Sequence, residues 1–123
     1  MSKTKREERP AIGTKMYLVN EHLYYIQGNP APVLEYCVCE AEVICYFNSG
    51  YTEIHLVGPN PKGFMTPYFY KLSKIGQTVF FTPREAAMLA KQMTEKYERT
   101  WGWTGDPPMR RTWEKYLTGA YDK

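Results

Sequence analysis

Residues 78–87, Thr78-Val79-Phe80-Phe81-Thr82-Pro83-Arg84-Glu85-Ala86-Ala87, hold the end of a strand and the start of a helix in one short stretch. Val79-Phe80-Phe81 has the β-branched and aromatic composition that suits a pleated, half-buried surface. Thr82 then offers a hydroxyl to the first free helical N–H groups, Pro83 carries the φ of a first helical position, and Glu85 completes a capping box. From there Ala86, Leu89, Ala90, Met93 and Tyr97 recur at spacings of three and four to about Arg99, which gives one apolar face. Lys91, Gln92, Glu95, Lys96 and Glu98 form the wet face. A helix of this kind needs an apolar surface to lie on, and the chain before it reads as strands.

Upstream, Lys15-Met16-Tyr17-Leu18-Val19 and Leu23-Tyr24-Tyr25-Ile26 have strand composition, with Asn20-Glu21-His22 between them read as a turn. Gln27 to Pro32 is a loop, since its glycine and prolines interrupt a ladder. Val33–Phe47 reads as two strands, or as one long strand bulged or bent near Glu40-Ala41-Glu42. Asn48-Ser49-Gly50 turns the chain. Tyr51–Val57 then alternates, which points Thr52, Ile54 and Leu56 at the core and Glu53 and His55 outward. Gly58–Gly63 breaks the pattern, and Pro67 inside Phe64–Tyr70 marks an edge strand or a bulge. The expected class is α+β: a small antiparallel β-sheet or SH3-like barrel, followed by an amphipathic C-terminal helix and a short aromatic and basic tail helix.

The expected organisation is a disordered basic arm over residues 1–14, one strand-and-helix domain over 15–99, and a tail over 100–123. In the tail Asp106-Pro107 repeats the cap-then-proline signature, and Met109, Trp113, Tyr116 and Leu117 line one face of a second helix. Trp101 and Trp103 straddle Gly102, and Arg110-Arg111-Thr112-Trp113-Glu114-Lys115-Tyr116 interleaves cations with aromatics. That composition suits a terminal helix docked on its own domain, an arginine- and tryptophan-anchored protein interface, or phosphate contacts with base stacking. Trp101, Trp103, Arg110, Arg111, Trp113, Lys115 and Tyr116 are therefore the candidate partner-binding residues.

Composition narrows the chemistry. The chain has 123 residues, eleven tyrosines, five phenylalanines and three tryptophans, more rings than so short a chain can bury, so an exposed aromatic surface is expected. Net charge is +3, but residues 16–82 carry three basic and five acidic groups, too acidic for a strong nucleic-acid binder. The N-terminal residues have charges with no apolar stretch behind them, and no run approaches the roughly 20 residues of a membrane span. Cys37, Cys39 and Cys45 are odd in number and read as free thiols of a strand-rich core. A zinc site built from them with His55 would lack the paired knuckles of common structural sites, so neither metal nor cofactor is expected. His22 and His55 sit in different segments, and no nucleophile elbow, zinc helix or phosphate loop is present, so no catalytic residue is assigned and a non-enzymatic role is expected.

Lys74-Ile75-Gly76-Gln77-Thr78-Val79-Phe80-Phe81-Thr82-Pro83-Arg84-Glu85-Ala86-Ala87 resembles a segment of small prophage and mobile-element proteins of Firmicutes. In those, a β-rich region ends in a "GKTVFLTREEAE"-like run that opens a terminal helix. Here Gln77 replaces the lysine, Phe81 the leucine, and Pro83 enters the first helical turn. The likeness is strong over about fourteen residues and extends in layout over residues 16–99. It implies origin in a mobile element and carries over no functional residue. For such an origin the expectation is a cytoplasmic, anti-CRISPR-like inhibitor that binds a host protein, such as a CRISPR effector nuclease. A nucleic-acid-binding module using the basic termini, including Lys3, Lys5, Arg6 and Arg9, is the alternative, and a self-assembling phage component is the third reading.

Overall fold

The computed structural model describes residues 9–25, 27–28, 32–101 and 109–118. The fold is α+β, an antiparallel sheet of five strands followed by one main helix. The strands are β1 (Lys15–Tyr24), β2 (Val33–Phe47), β3 (Glu53–Pro59), β4 (Met65–Lys71) and β5 (Val79–Phe80). They lie in the order β4-β3-β2-β1-β5, so β4 and β5 are the two edges and the sheet does not close into a barrel. The helix α1 (Pro83–Trp101) follows, and then a two-residue strand β6 (Met109–Arg110) and a 3-10 turn (Thr112–Leu117).

Several local expectations change in the folded chain. Asn20-Glu21-His22 is not a turn: β1 runs unbroken, because each of the three pairs across to β2, Asn20 with Cys37, Glu21 with Tyr36 and His22 with Glu35. The ladder satisfies their backbone groups, which outweighs their weak strand preference. β2 is likewise one strand of 15 residues, and its irregularity falls between Val43 and Cys45 instead of at Glu40–Glu42. Thr52 is exposed, while Ile54 and Leu56 are fully buried as their alternation requires. The tail forms a 3-10 turn where an α-helix was expected.

Within the segment read as an arm, residues 9–14 run along β2. Gly13 N–H donates to the Val43 carbonyl at 2.8 Å, and Val43 N–H donates to the Thr14 carbonyl at 2.9 Å. The Tyr46 hydroxyl donates to the Pro10 carbonyl, and the Arg9 guanidinium sits 5.4 Å from the Tyr46 ring centroid.

The sheet has an apolar cluster on each face, which alternation along a strand makes possible. Met16, Leu18, Cys39, Ala41, Val43, Ile54, Leu56 and Val79 fill the inner face. There Asn20 Nδ2 donates to the Tyr68 hydroxyl at 3.1 Å, although β1 and β4 are three strand spacings apart. In a flat sheet that gap would be about 14 Å, so the sheet curls strongly over this core. Leu72 and Ile75, in the link from β4 to β5, pack against the cluster between the two edges. The sheet is thus curled but open, and of the two expected forms the antiparallel sheet is found and the SH3-like barrel is not, because β4 and β5 do not pair.

On the outer face α1 lies over β1, β2 and β5. Ala87 and Ala90 meet Leu34 and Tyr36, with Met93 and Tyr97 packed at the margin. The helix starts where its cap dictates: Glu85 N–H donates to Thr82 Oγ1 at 3.2 Å, and the Thr82 hydroxyl donates to the Glu85 carboxylate at 3.0 Å. Among the described residues, no helix is long and apolar enough to cross a membrane.

Candidate functional site

The tail residues that composition singled out are taken up by the fold wherever their side chains are described. β6 pairs in parallel with the start of β2, Leu34 with Met109 and Glu35 with Arg110. This edge is free because β3 pairs only with the second half of β2. The 3-10 turn that follows drops Trp113 into the second core, where it is 2% exposed. Its indole N–H donates to Thr94 Oγ1 at 3.1 Å, and the Thr94 hydroxyl donates to the Ala90 carbonyl at 2.8 Å. A buried threonine in mid-helix is thus explained by its two partners.

Arg111 Nη2 donates to both carboxylate oxygens of Glu98, at 2.8 and 2.7 Å, and the guanidinium lies 5.8 Å from the Trp113 ring centroid. The Thr112 hydroxyl donates to the Glu35 carboxylate. Tyr116 is half-buried against the same core, and the Lys115 ammonium lies 5.2 Å from its ring centroid. Trp113 is therefore a core residue and not a surface anchor, and Arg111 is committed to an ion pair within the chain. Trp103, and the side chains of Trp101 and Arg110, lie outside the described residues.

The exposed aromatic surface lies elsewhere, on the part of the outer face that α1 does not reach. Its origin is the shift between Val43 and Cys45. Before it, even-numbered β2 residues face the helix. After it, Tyr46 turns into the inner core opposite Ile54, which sends Cys45 and Phe47 outward. Across the ladder Cys45 faces His55, and His55 faces Phe69. The His55 ring stacks on Phe69 at 4.6 Å and 22°, and Phe69 meets Phe47 edge-on at 5.6 Å. Phe69 is nevertheless 56% exposed.

The same surface continues along β4, whose Met65, Pro67, Phe69 and Lys71 all face solvent while Thr66, Tyr68 and Tyr70 turn inward. At the tip of the β3–β4 hairpin Phe64 and Met65 are 68% and 67% exposed, and on β2 Ile44 is 41% exposed. That tip is held firmly. Asn60 Oδ1 accepts from the backbone N–H of Lys62 at 2.9 Å and of Phe64 at 3.0 Å. Asn60 N–H donates to the Phe64 carbonyl, and Gly63 N–H to the Asn60 carbonyl, both at 2.8 Å. Gly63, at φ +91°, takes the left-handed conformation that closes this turn. Two large apolar side chains thus stand on a pre-organised loop.

Pro67 fits the edge position that its sequence context implied. Proline in a sheet turns its missing N–H away from the neighbouring strand, and on β4 that direction is the open edge. It removes a donor from the middle of a seven-residue edge, which guards against pairing with another strand. The face of the sheet, more than its edge, is left available for contact.

The thiols separate by face. Cys37 and Cys39 pack with the inner core, whereas Cys45 and His55 are paired on the outer side, so the four cannot meet around one ion. Among the described residues no group of three His, Cys, Asp or Glu side chains is placed to hold a metal. Cys39 is nearly buried, and burial, helped by Glu35, pushes its thiol up to about 11. Burial also raises Tyr68 and Tyr70 beside it. These are the effects of a dry interior and give no reactive group.

No protein-family model, curated protein or solved structure matches this chain.

Proposed function

We propose that this protein is a non-enzymatic binding module that docks a partner protein on the outer face of β2, β3 and β4, with Phe64, Met65 and Phe69 as anchors. The observation that carries this reading is the uncovered aromatic surface of Phe47, His55 and Phe69, continuous with the exposed side of β4. Large apolar groups on a rigid scaffold lose little entropy on contact and bury much area. A monomer rarely leaves so many of them contiguous without use. Glu42 and Glu53 on this surface are balanced by Lys71, opposite Glu53, and by Lys62 in the hairpin turn, so it carries no basic excess to attract a phosphate backbone.

An inhibitor of a host defence nuclease is the narrower form of this proposal. It rests on the strand–cap–helix resemblance to mobile-element proteins, and it needs a partner that this face covers. The test is a pull-down from lysate of a bacterial host after nuclease treatment, with the unsubstituted protein and Phe69→Glu as parallel baits. A discrete protein held by the first and lost by the second supports the reading, provided that the variant keeps its unfolding midpoint. Equal capture by both baits, or capture that disappears with nuclease, would sink it.

A further inference from the structure

The two sides of the sheet end differently. β4 carries Pro67 on its edge, whereas β1 is covered along its outer edge only where β5 pairs with Tyr17 and Leu18. β5 is two residues long because the cap at Thr82 takes the chain out of the sheet and into α1 directly after it. Residues 19–24 of β1 pair with β2 on one side and, among the described residues, with nothing on the other. This stretch contains no proline, glycine or register shift.

The register also fixes where its backbone groups point. Val43 N–H donates to the Thr14 carbonyl and the Val43 carbonyl accepts from Gly13 N–H, so Val43 turns both groups toward the β1 side of β2. Antiparallel pairs alternate, and the pairing runs unbroken from Lys15 with Glu42 to Tyr24 with Val33. Odd-numbered β2 residues therefore bond to even-numbered β1 residues. Val19, Glu21 and Leu23 are left with their N–H and C=O groups aimed at the open edge. Their side chains lie on the outer face, where Val19 packs on the second core and Leu23 is 46% exposed. Beside them, under the flank of α1 and beyond the end of β5, is a mostly apolar cavity of about 300 Å³ lined by Tyr36, Met93, Lys96, Tyr97 and Thr100. Tyr36 is the cross-strand neighbour of Glu21. The 3-10 turn occupies the other flank of α1, through Thr94 and Glu98.

We propose that β1 takes up an extended peptide as an added strand along residues 19–24, with one large apolar side chain in the cavity under α1 and an acidic side chain on Lys96. An open row of N–H and C=O groups is matched by another extended backbone, which sets the class of ligand. A residue opposite Glu21 stands on the same face of the sheet as Glu21, and so points toward the cavity. Lys96 is exposed at its rim and makes no ion pair among the described residues, since Glu95 is held by Lys91 and Glu98 by Arg111. An acid two residues along the ligand lies on the same face and within reach of that ammonium. The site is separate from the outer face of β3 and β4 and stands independently of the docking reading.

The test selects a displayed library of random linear peptides on the full chain, then measures the enriched peptides by fluorescence anisotropy. The expected sequences carry a large apolar residue and an acid at a spacing of two. Glu21→Pro removes a donor from the open edge without touching the ladder to β2, so it should keep its unfolding midpoint and bind at least about tenfold more weakly. Lys96→Glu should weaken the same peptides by about tenfold, the worth of one charge-assisted bond. Phe69→Glu should leave them unchanged; a loss there would place the peptides on the docking face instead. Amide exchange in the unsubstituted chain needs no variant: with peptide bound, the N–H groups of Val19, Glu21 and Leu23 should exchange at least about tenfold more slowly. No enrichment over the bare support would overturn the proposal. So would unaltered exchange at those amides, full affinity in a folded Glu21→Pro, equal affinity in Lys96→Glu, or affinity lost in Phe69→Glu.

Discussion

Replacing Trp113 with alanine removes a side chain that is 2% exposed and whose indole N–H is bonded to the fully buried Thr94. An aromatic of this size buries about 200 Å², which at about 25 cal/mol per Å² corresponds to about 5 kcal/mol. Truncations of buried aromatics cost about 3–5 kcal/mol. The hydrogen bond adds about 1 kcal/mol, although Thr94 keeps its own acceptor at the Ala90 carbonyl. Trp113→Ala should therefore cost about 4–5 kcal/mol, a large part of the stability of a domain this small. Trp113→Phe keeps most of the area and loses the donor, so about 1–2 kcal/mol is expected. Urea unfolding followed by circular dichroism reads both, with unchanged slopes. A cost below about 1.5 kcal/mol for Trp113→Ala would mean that the tail does not belong to the core. The consequence for function is direct. Lost binding in Trp113→Ala would report unfolding, so surface variants such as Phe69→Glu are the informative ones.

At Gly58 an added Cβ would run into the Glu40 carbonyl and come within 2.8 Å of the Ala41 Cα, so Gly58→Ala should destabilise by about 2–3 kcal/mol or more; a neutral result in urea unfolding would contradict the close approach of β3 to β2. Thr82→Ala removes the cap of α1 and should cost about 1 kcal/mol, with Thr82→Ser near neutral, both read as shifts in midpoint. Phe69→Glu should cost about 1 kcal/mol or less in stability, since it breaks only cross-strand ring contacts at a solvated surface, and a larger loss would place Phe69 in the core. The Cys39 thiol holds its proton to about 11 when folded but to about 9 in the unfolded chain, so its contribution is complete below pH 9 and is lost as pH rises through 11. Two pH units correspond to about 2–3 kcal/mol. Cys39→Ala should flatten the alkaline fall in unfolding free energy between pH 9 and 11; an unaltered slope would show that the thiol is not held in a dry site. Tyr36, Tyr46, Tyr68 and Tyr70, raised by burial, continue the fall above pH 10 in both proteins.

Local chemistry was sufficient for a good part of the fold. The helix start at Thr82-Pro83, the turn at Asn48-Ser49-Gly50, the edge position of Pro67 and the inward set Ile54 and Leu56 each follow from a cap, a left-handed glycine, a missing donor or a period of two. Each is a property of a few neighbouring residues, so it is visible without knowing what lies across the sheet. Composition also implied that some rings must remain exposed.

Which rings those are was settled only by the tertiary structure. Arg111, Trp113 and Tyr116 look like a binding segment by composition, but β6 finds the open edge of β2 and carries Trp113 into a slot over Thr94. Phe69 looks like an ordinary strand residue, yet the register shift at Val43/Cys45 and the limited reach of α1 leave it exposed on top of the His55 ring. The choice of an open sheet over a barrel has the same origin, since it depends on whether β4 and β5 meet, a contact between residues far apart in the chain. The sequence by itself determined where α1 begins and that Ile54 and Leu56 of β3 turn inward, because those are local steric and hydrogen-bonding preferences. The tertiary structure alone decided which apolar sides cover one another and which is left exposed, because burial is a property of pairs of elements and not of either one.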